Sequence, residues 1–482
     1  MNPRPPRRPP AVLSLLLLSL LLRATAAAAD VYDVVEYGAA GDGTTDDTAA
    51  IAAALAAAAR SGREGGSPRV LFPGPGRTYL TGPFNVTSDR TTLVIDGTVL
   101  AATGTNSAFG AERIRDGTWP QLPPLPSYRS SEDMGNSRLQ HQALIYARDV
   151  RDLRITGTGV VDGGGPWWWD RFDAMDRDSV PAGRPNLIQA VNCTGLELDG
   201  LTLRDAAFWT VHPAYCTGVH VHHVTIRARM YAPNVDGIDP DSCRDVLIED
   251  NDIGCGDDHI AIKAGRCGPG RNDCRLPEYR DGTKWRTENV TVRNNLFRIG
   301  MGIAVGSESS GSIRGVEIYD NVVGWCDAGH CEGKCCGWSP GLHIKTSPTR
   351  GGLIEGVIFR NNTVYNTTSF IFVEMGYQSS DPVPTDYPPT RLRNITFVNN
   401  RALGSAVGAN FACAEGDACE GIRVINNTVL DAGGRNPWGC HFVRSFEVSG
   451  NSPPGLEECM QNSMNASLAI HDDGRDHVTA WK

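Results

Sequence analysis

Two aspartates stand side by side in the stretch "GCGDDHIAIK", Gly254–Lys263, which otherwise has the pattern of a buried strand. Ile260 and Ile262 alternate with other residues at the period of a β-strand with one apolar face. Adjacent carboxylates repel each other and are costly to desolvate beside apolar neighbours. Asp257 and Asp258 therefore suggest acid/base chemistry or a metal site.

A third aspartate, Asp236 in "NVDGID", lies 21 residues before Asp257. If this interval is one coil of a stacked β fold, Asp236 lies about 4.8 Å from the pair. Hydrolysis of a glycosidic bond with inversion uses one protonated carboxyl and one carboxylate that holds water, about 6.5–9.5 Å apart. Crowding raises the pKa of one acid and so keeps its proton available. Turn capping is the alternative for each aspartate alone, but three acids in register beside glycines favour catalysis.

Further blocks continue the same stripe. We place "GMG" around Met301 two coils after the aspartate pair, and "GLHIK" with His343 and Lys345 two coils after that. This predicts a cation on the face that carries the three acids.

A pattern of alternating apolar and polar residues recurs from residue 195, as in "GLELDGLTL" and "GVIFRNNTV". The intervals between repeats run from 23 to 44 residues, and those near 40 fit two short turns or one turn with a long loop. Leucine-rich repeat spacing and regular four-strand propeller units are both missing. The pattern therefore predicts an all-β, single-stranded, right-handed parallel β-helix, with Asn-Asn corners suited to left-handed backbone and side-chain ladders. The first apolar residues of the repeats are Leu196, Val219, Val246, Val290, Val316, Val357, Ile395 and Ile422.

One clear helix precedes the repeats, in "TTDDTAAIAAALAAAARSG". Thr45 or Asp46 is its expected N-cap and Gly62 its expected end. Its alanine-rich face is expected to cap the N-terminal end of the solenoid, where the first coil otherwise exposes unpaired backbone.

The first 29 residues have the composition of a secretory signal peptide. Three arginines precede the apolar run Ala11–Leu22, and small residues lead to a cleavage site near Ala29. The run is shorter than the roughly 20 residues that span a bilayer. We therefore predict a signal peptide at 1–29, a single β-helix domain at 30–482 and an extracellular, soluble protein.

The formal net charge is −10, and removal of residues 1–29 takes away four arginines and no acid. This excess of negative charge argues against nucleic acid or an anionic membrane as a partner. An acidic sugar would need a local basic patch, which the basic segment 263–286 offers unless it is simply a solvated loop. The triplet Trp167–Trp169 offers rings for sugar stacking or for packing against the body.

Cysteine and asparagine usage fits an exported glycoprotein. The 14 cysteines suit disulfides in an oxidising compartment, and in "CDAGHCEGKCCGW" a disulfide-stapled loop is favoured over zinc. We predict no metal and no cofactor. Eight Asn-x-Ser/Thr sequons predict some glycosylation, at Asn85, Asn192, Asn289, Asn361, Asn366, Asn394, Asn426 and Asn465.

The acid and cation blocks resemble glycoside hydrolase family 28, the polygalacturonases and their plant relatives. The family's Asn-Thr-Asp, Gly-Asp-Asp, Gly-His-Gly and Arg-Ile-Lys blocks read here as "NVDG" from Asn234, "GDDH" from Gly256, "GMG" from Gly300 and "HIK" from His343. The similarity extends to "VVEYGAAGDGTTDDT" and "VGSESSGSIRG". It implies a right-handed parallel β-helix that hydrolyses α-linked galacturonan in pectin with inversion, as a monomer in the cell wall.

The resemblance also implies roles for individual residues. Asp257 matches the general acid, and Asp236 and Asp258 match the acids that activate water. The matched substrate-binding positions are Asn234, His343, Lys345 and Tyr377.

Two departures from the family pattern bear on activity. Met301 stands where most members have histidine, and His343 where most have arginine. A histidine there would titrate near pH 6.5, so anion binding would strengthen in acid. His259 is either a substitute for the missing histidine or, more simply, a strand residue. The alternatives to a galacturonan hydrolase are a pectin-binding wall protein with impaired catalysis and a hydrolase of another backbone, such as rhamnogalacturonan.

Overall fold

The structure is a computed structural model that describes residues 30–128, 139–230, 232–266, 285–325, 340–347, 350–377, 390–414, 419–430 and 438–472. The signal peptide, most of the basic segment and the cysteine-rich loop around His330 lie outside these ranges.

Three long faces of parallel strands form a solenoid in which one coil contributes a strand to each face. This confirms the predicted parallel β-helix.

Sheet one has 13 strands, in spatial order Val31–Asp33, Arg69–Phe72, Thr92–Ile95, Arg151–Thr156, Thr194–Asp199, Thr217–His222, Arg244–Glu249, Thr287–Arg293, Ile313–Tyr319, Leu353–Arg360, Arg391–Val398, Cys419–Ile425 and Phe446–Ser449. Sheet two has 12 strands, Asp42–Asp46, Thr78–Thr81, Thr98–Ala101, Val160–Asp162, Thr202–Arg204, Thr225–Arg227, Asp252–Gly254, Leu296–Phe297, Val322–Val323, Thr363–Tyr365, Arg401–Leu403 and Thr428–Leu430.

Sheet three is divided into a four-stranded and a six-stranded part. Isolated bridges at Ile238 and Asp241 join the two parts. Its strands are Phe84–Val86, Ile145–Arg148, Ile188–Val191 and Val211–Ala214, followed by Ile260–Ile262, Ile303–Gly306, Pro340–Lys345, Ser369–Glu374, Val407–Ala412 and Trp438–His441. A small antiparallel pair, Gln121–Leu122 with Gln140–His141, lies apart from the solenoid sheets.

The strand register confirms the repeat that the sequence shows. Each first apolar residue, from Leu196 to Ile422, lies opposite the next one on the neighbouring coil of sheet one. Val246 pairs directly with Val290, so an interval of 44 residues is one coil that carries a loop.

The predicted coil count around the acids was therefore wrong. Ile260 pairs with Ile303, and Ala304 pairs with His343. Met301 lies one coil beyond the aspartate pair, and His343 lies one coil beyond that. The error arose because loop length, which varies freely at a surface, was counted as additional strands.

A buried asparagine ladder occupies one corner of the coils. The first residue of each Asn-Asn pair has a left-handed backbone, for example Asn294 at φ 56° and Asn361 at φ 56°. The second accepts from both the backbone N–H and the side-chain amide of the previous rung. The predicted side-chain ladder runs through Asn251, Asn295, Asn321, Asn362, Asn400, Asn427 and Asn451.

Helices cover both ends of the solenoid. Thr48–Arg63 follows the N-cap Asp47, so the predicted caps Thr45 and Asp46 were one or two residues too early. It ends one residue beyond the predicted Gly62 and packs on the first strands of sheets one and three. Leu456–Asp472, which the sequence reading missed, packs on the last strands. The described residues also form the helices Ala108–Asp116 and Gly165–Asp173 and a 3-10 turn at Pro126–Tyr128.

The three tryptophans Trp167–Trp169 lie in the helix Gly165–Asp173 and are at most 5% exposed. They pack into the body, so the sugar-stacking alternative for them is wrong.

The cysteines of the described residues fall into two classes. Cys413–Cys419 and Cys440–Cys459 are disulfides near the C-terminal end. Cys193, Cys216, Cys243 and Cys255 are buried thiols. The expected disulfides are thus present, but these four cysteines pack as apolar core residues. Within the described residues, no helix is long and apolar enough to span a membrane.

Candidate active site

The three predicted acids come together at the break in sheet three. Ile238 lies opposite Ile260, so Asp236 and Asp258, each two residues earlier, are stacked on adjacent coils. One carboxylate oxygen from each of Asp236, Asp257 and Asp258 lies within 4.8 Å of the others. Asp236 and Asp258 are 3% and 2% exposed, whereas Asp257 is partly exposed.

Glycine allows the backbone to present both adjacent aspartates at one place. A Cβ on Gly256 would lie 2.2 Å from the carbonyl oxygen of Ala232. The N–H groups of Gly256 and Asp257 both donate to the carbonyl of Val235, each at 3.2 Å. This tight turn interrupts strand alternation, which is the kink that the flanking glycines predicted.

Two buried lysines lie beside the acids. The ammonium of Lys345 forms an ion pair with Asp258. The ammonium of Lys263 lies 3.7 Å from Asp236 Oδ2 and 3.3 Å from Glu308 Oε2. Among the described residues, Asp257 has no ion-pair partner.

The charges around the acids set their protonation. Burial and then the neighbouring charge of Asp258 raise the pKa of Asp257 to about 6. Burial and then Asp239 raise the pKa of Asp236 well above its usual range, and Lys263 opposes that rise. Although burial favours the neutral form of Glu308, Lys263 and other cations lower its pKa to about 2. The cluster therefore holds protons among its aspartates while Glu308 stays ionised.

His343 lies over the ring of Phe372, with ring centroids 5.2 Å apart and planes 5° apart. Its Nε2 is 3.5 Å from Glu374 Oε2. Burial lowers the pKa of His343, so the expected titration near pH 6.5 was wrong. At neutral pH this position supplies a neutral ring in place of the family's permanent cation.

His259 is a structural residue. Its Nε2 lies 3.0 Å from the carbonyl oxygen of Ile299, and its Nδ1 accepts from the N–H of Gly302 at 3.1 Å. Burial lowers the pKa of His259 to about 4. It links two coils as a neutral imidazole and does not replace the histidine absent at Met301.

The remaining predicted residues lie on two sides of the cluster. The ammonium of Lys345 is 5.1 Å from the ring centroid of Tyr377. Asn234 has a left-handed backbone at φ 55°, and its Oδ1 accepts from Arg184 Nη2 at 2.8 Å.

Arg184 connects the acids to a neighbouring cavity. Its guanidinium lies 4.0 Å from the ring centroid of Phe172 and 5.0 Å from that of Phe208. These residues, with Trp168 and Arg171, line a cavity of about 440 Å³ that none of the three acids lines. Because Arg184 also holds the Asn234 turn, the cavity wall and the acid cluster share one support.

Sequence reasoning missed Lys263, Glu308, Asp239 and Arg184 as parts of the site. Lys263 ends the opening "GDDHIAIK" stretch, and strand alternation places it on the outward face with Ala261, so a signal for it existed. Glu308 lies in the "VGSESSG" block that carries the family resemblance. Asp239 ends the "NVDGID" stretch that contains Asp236, so a local signal existed for it as well. Arg184 reaches the site through contacts across coils, for which the local sequence carries no signal.

Comparison with known proteins gives the family. The sequence profile described as glycosyl hydrolases family 28 matches residues 78–450. The chain belongs to glycosyl hydrolases family 28. It is a glycoside hydrolase of the polygalacturonase type.

Individual relatives agree with this family. A "Probable polygalacturonase" of Vitis vinifera is 30% identical over 428 residues, which cover 87% of this chain and 78% of the relative. The exopolygalacturonase structure from Thermotoga maritima is 22% identical with a TM-score of 0.67, covering 87% of this chain and 91% of that chain. An endo-xylogalacturonan hydrolase from Aspergillus tubingensis is 20% identical with a TM-score of 0.59, covering 88% and 100%. At these identities the solved structures show a shared fold.

Proposed function

We propose that the chain is a secreted cell-wall hydrolase that cleaves α-linked galacturonic acid residues in pectin with inversion. The observation that carries this proposal is the three-aspartate cluster, with two buried lysines beside it, in a member of family 28. Secretion rests on the signal-like residues 1–29, and it predicts a mature N-terminus at about residue 30.

Asp257 is the general acid in this proposal. It is the most exposed of the three acids, the one without a paired lysine among the described residues, and the one whose pKa is raised to about 6. A protonated carboxyl of that pKa donates its proton to the leaving glycosidic oxygen in mildly acidic solution.

Asp236 and Asp258 hold and activate the water. Each has a lysine ammonium beside it, and at Asp236 the charge of Lys263 opposes the rise in pKa that burial causes. Lys345, with Tyr377 beside it, also faces the carboxylate of a bound galacturonate, and Asn234 fixes the turn that carries Asp236.

The distance between the carboxylates argues against inversion. Oxygens within 4.8 Å of one another are closer than the about 6.5–9.5 Å usual for an inverting pair. Inversion is proposed here from the family resemblance, which matches Asp236 and Asp258 to acids that activate water. Proton NMR of the first-formed anomer decides the point, because retention would remove the inverting mechanism and leave the hydrolase assignment in place.

The decisive experiment compares wild type, Asp257→Asn and the exposed control Asp245→Asn on de-esterified galacturonan. Wild type and the control should release reducing ends without unsaturated product. Asp257→Asn should lose about 10²–10⁴-fold in rate with nearly unchanged binding, since the amide keeps the shape but donates no acid proton. A wild type that hydrolyses no pectic oligomer would overturn the proposal.

A binding protein with impaired catalysis is the second candidate, and His343 is the observation that favours it. A neutral ring stacked on Phe372 offers no permanent charge to an acidic sugar. If wild type binds pectic oligomers without turnover, and Met301→His restores turnover, this second function is correct. A panel that includes rhamnogalacturonan and xylogalacturonan oligomers also tests which pectic backbone is the substrate.

A further inference from the structure

Two histidines and an aspartate meet on the outer face of sheet one, on a different face of the solenoid from the catalytic acids. His222 Nδ1 and His223 Nδ1 lie 2.8 Å apart. Each of these nitrogens is 3.4 Å from Asp199 Oδ1. Three ligating atoms of the kinds that bind transition metals thus face one point.

The fold places these atoms together across two coils. Asp199 and His222 are register partners on adjacent strands, and alternation points both outward because each follows a buried core residue, Leu198 or Val221. His223 would point to the opposite face in a regular strand. Its left-handed backbone, at φ 53°, turns its imidazole back toward His222.

The spacing fits one divalent ion. Bonds of about 2.0–2.1 Å from zinc to nitrogen or oxygen place neighbouring ligand atoms roughly 2.9–3.4 Å apart in tetrahedral or octahedral geometry. The two Nδ1–Oδ1 separations of 3.4 Å fall in that range, and the Nδ1–Nδ1 separation of 2.8 Å lies at its lower edge. Without an ion, a single proton shared between the two Nδ1 atoms is the only other way to avoid lone-pair repulsion there.

Neighbouring side chains hold the ligands in the orientation that a metal needs. His222 Nε2 lies 3.3 Å from Glu197 Oε1. A carboxylate only accepts, so this contact keeps the proton on Nε2 and leaves the Nδ1 lone pair available. Arg154 holds the other oxygen of Asp199, Oδ2, at 2.9 Å.

The ring of His220 completes this support. It stacks on His222 with ring centroids 4.0 Å apart, while its own Nε2 lies 3.0 Å from Glu249 Oε1. His220 thus orients His222 without offering a ligand atom to the trio.

We propose that Asp199, His222 and His223 bind a divalent transition-metal ion of the zinc class. The ion would link the adjacent strands Thr194–Asp199 and Thr217–His222 of sheet one. Two imidazole nitrogens and one carboxylate oxygen suit zinc, whereas calcium and magnesium prefer oxygen ligands alone. The side chain of His223 is 62% exposed, so the ion enters from solvent and keeps its remaining positions for water.

The test is zinc binding by metal-free, tag-free full-length protein, measured by titration calorimetry. The ligand variants are His223→Gly, because glycine tolerates the left-handed backbone and creates no glycosylation sequon, and His222→Gln. The matched control is His441→Gln, an exposed histidine on sheet three, away from the trio. Both ligand variants should lose one bound ion per chain, or show a dissociation constant at least about tenfold higher, while the control should bind as wild type does.

Two further measurements separate metal binding from a structural role. Cobalt should give a visible absorption band in wild type that is lost in His223→Gly, and zinc should raise the Tm of wild type but leave that of His223→Gly unchanged. Equal zinc binding by wild type and both ligand variants would overturn the proposal, as would wild type that binds calcium in preference to zinc.

Discussion

Asp257 differs from its two neighbours in exposure and in pairing. It is partly exposed and, among the described residues, has no lysine ion pair, whereas Asp258 pairs with Lys345 and Asp236 lies near Lys263. Three carboxylates this close do not all ionise in mild acid, and burial raises the pKa of both Asp257 and Asp236. Exposure and the absence of a paired lysine make Asp257 the proposed proton donor, and Asp236 and Asp258, beside their lysines, are the proposed water-binding acids.

This division predicts the pH dependence of the reaction. Burial and the charge of Asp258 raise the pKa of Asp257 to about 6, and only its protonated form donates. We expect kcat to fall as the pH rises through about 6. Initial rates on galacturonan across the pH range measure this, and a rate that stays level well above that pH would contradict the role of Asp257.

The burial of Asp239 leads to a second prediction, which concerns the stability of the fold. It is fully buried, and among the described residues its two carboxylate oxygens have no hydrogen-bond partner. Burial raises its pKa well above the usual range. Because the folded state holds this proton more tightly than the unfolded state does, protonated Asp239 contributes fully to the free energy of unfolding below the unfolded pKa of about 3.9. The contribution is lost as the pH rises through the folded pKa.

Asp239→Asn removes that titration, so its stability relative to wild type should increase with pH. The slope should approach about 1.4 kcal/mol per pH unit between the unfolded and folded pKa values. Denaturant unfolding at several pH values measures it, with the exposed Asp245→Asn as control. A difference between Asp239→Asn and wild type that does not change with pH would show that Asp239 is ionised in the fold.

At the scale of elements, the asparagine ladder joins coil to coil at one corner. Asn321 accepts from the backbone and side-chain amides of Asn295 and donates to the carbonyls of Val292 and Tyr319. Asn321→Ala leaves several of these buried groups unpaired, at about 1–3 kcal/mol for each. We expect a loss of about 2–5 kcal/mol in the free energy of unfolding.

The matched comparison is Asn451→Ala at the end of the same ladder. Asn451 is only partly buried, so water can replace its lost hydrogen bonds, and its loss should be clearly smaller. Equal losses at the two positions in denaturant unfolding would mean that burial does not control the strength of the ladder.

At the scale of the whole molecule, a solenoid is stable only if its end coils are covered. The C-terminal helix Leu456–Asp472 packs on the last coil, and the disulfide Cys440–Cys459 ties it there across 19 residues. Closing a loop of that length stabilises a fold by about 3 kcal/mol in the chain-entropy model.

Cys440→Ala/Cys459→Ala should therefore weaken the C-terminal cap before it weakens the central coils. Hydrogen exchange should become faster in residues 456–465 while the amides of Val316 and Ile318 stay protected. The control is Cys413→Ala/Cys419→Ala, which opens a loop of only 6 residues. If the cap amides remain as slow as the central ones, packing alone holds the helix.

The sequence by itself determined which residues of sheet one face the core, the asparagine ladder, the N-terminal capping helix and the grouping of Asp236, Asp257 and Asp258. Each of these follows from a local rule. Alternation decides which face of a strand is buried, Asn-Asn places a left-handed corner, and one coil length separates stacked residues. These local rules predict the folded structure correctly because every coil repeats the same environment.

Only the tertiary structure decided the number of coils between the acids and Lys345, the burial of His343, the lysine partners of the acids and the meeting of Asp199, His222 and His223. These depend on which residues lie opposite each other on adjacent coils. Loops of different length separate such residues in the chain, so their spacing in sequence does not give their distance. A charge or a histidine takes its pKa from those neighbours across the coils, and the sequence around it does not contain them.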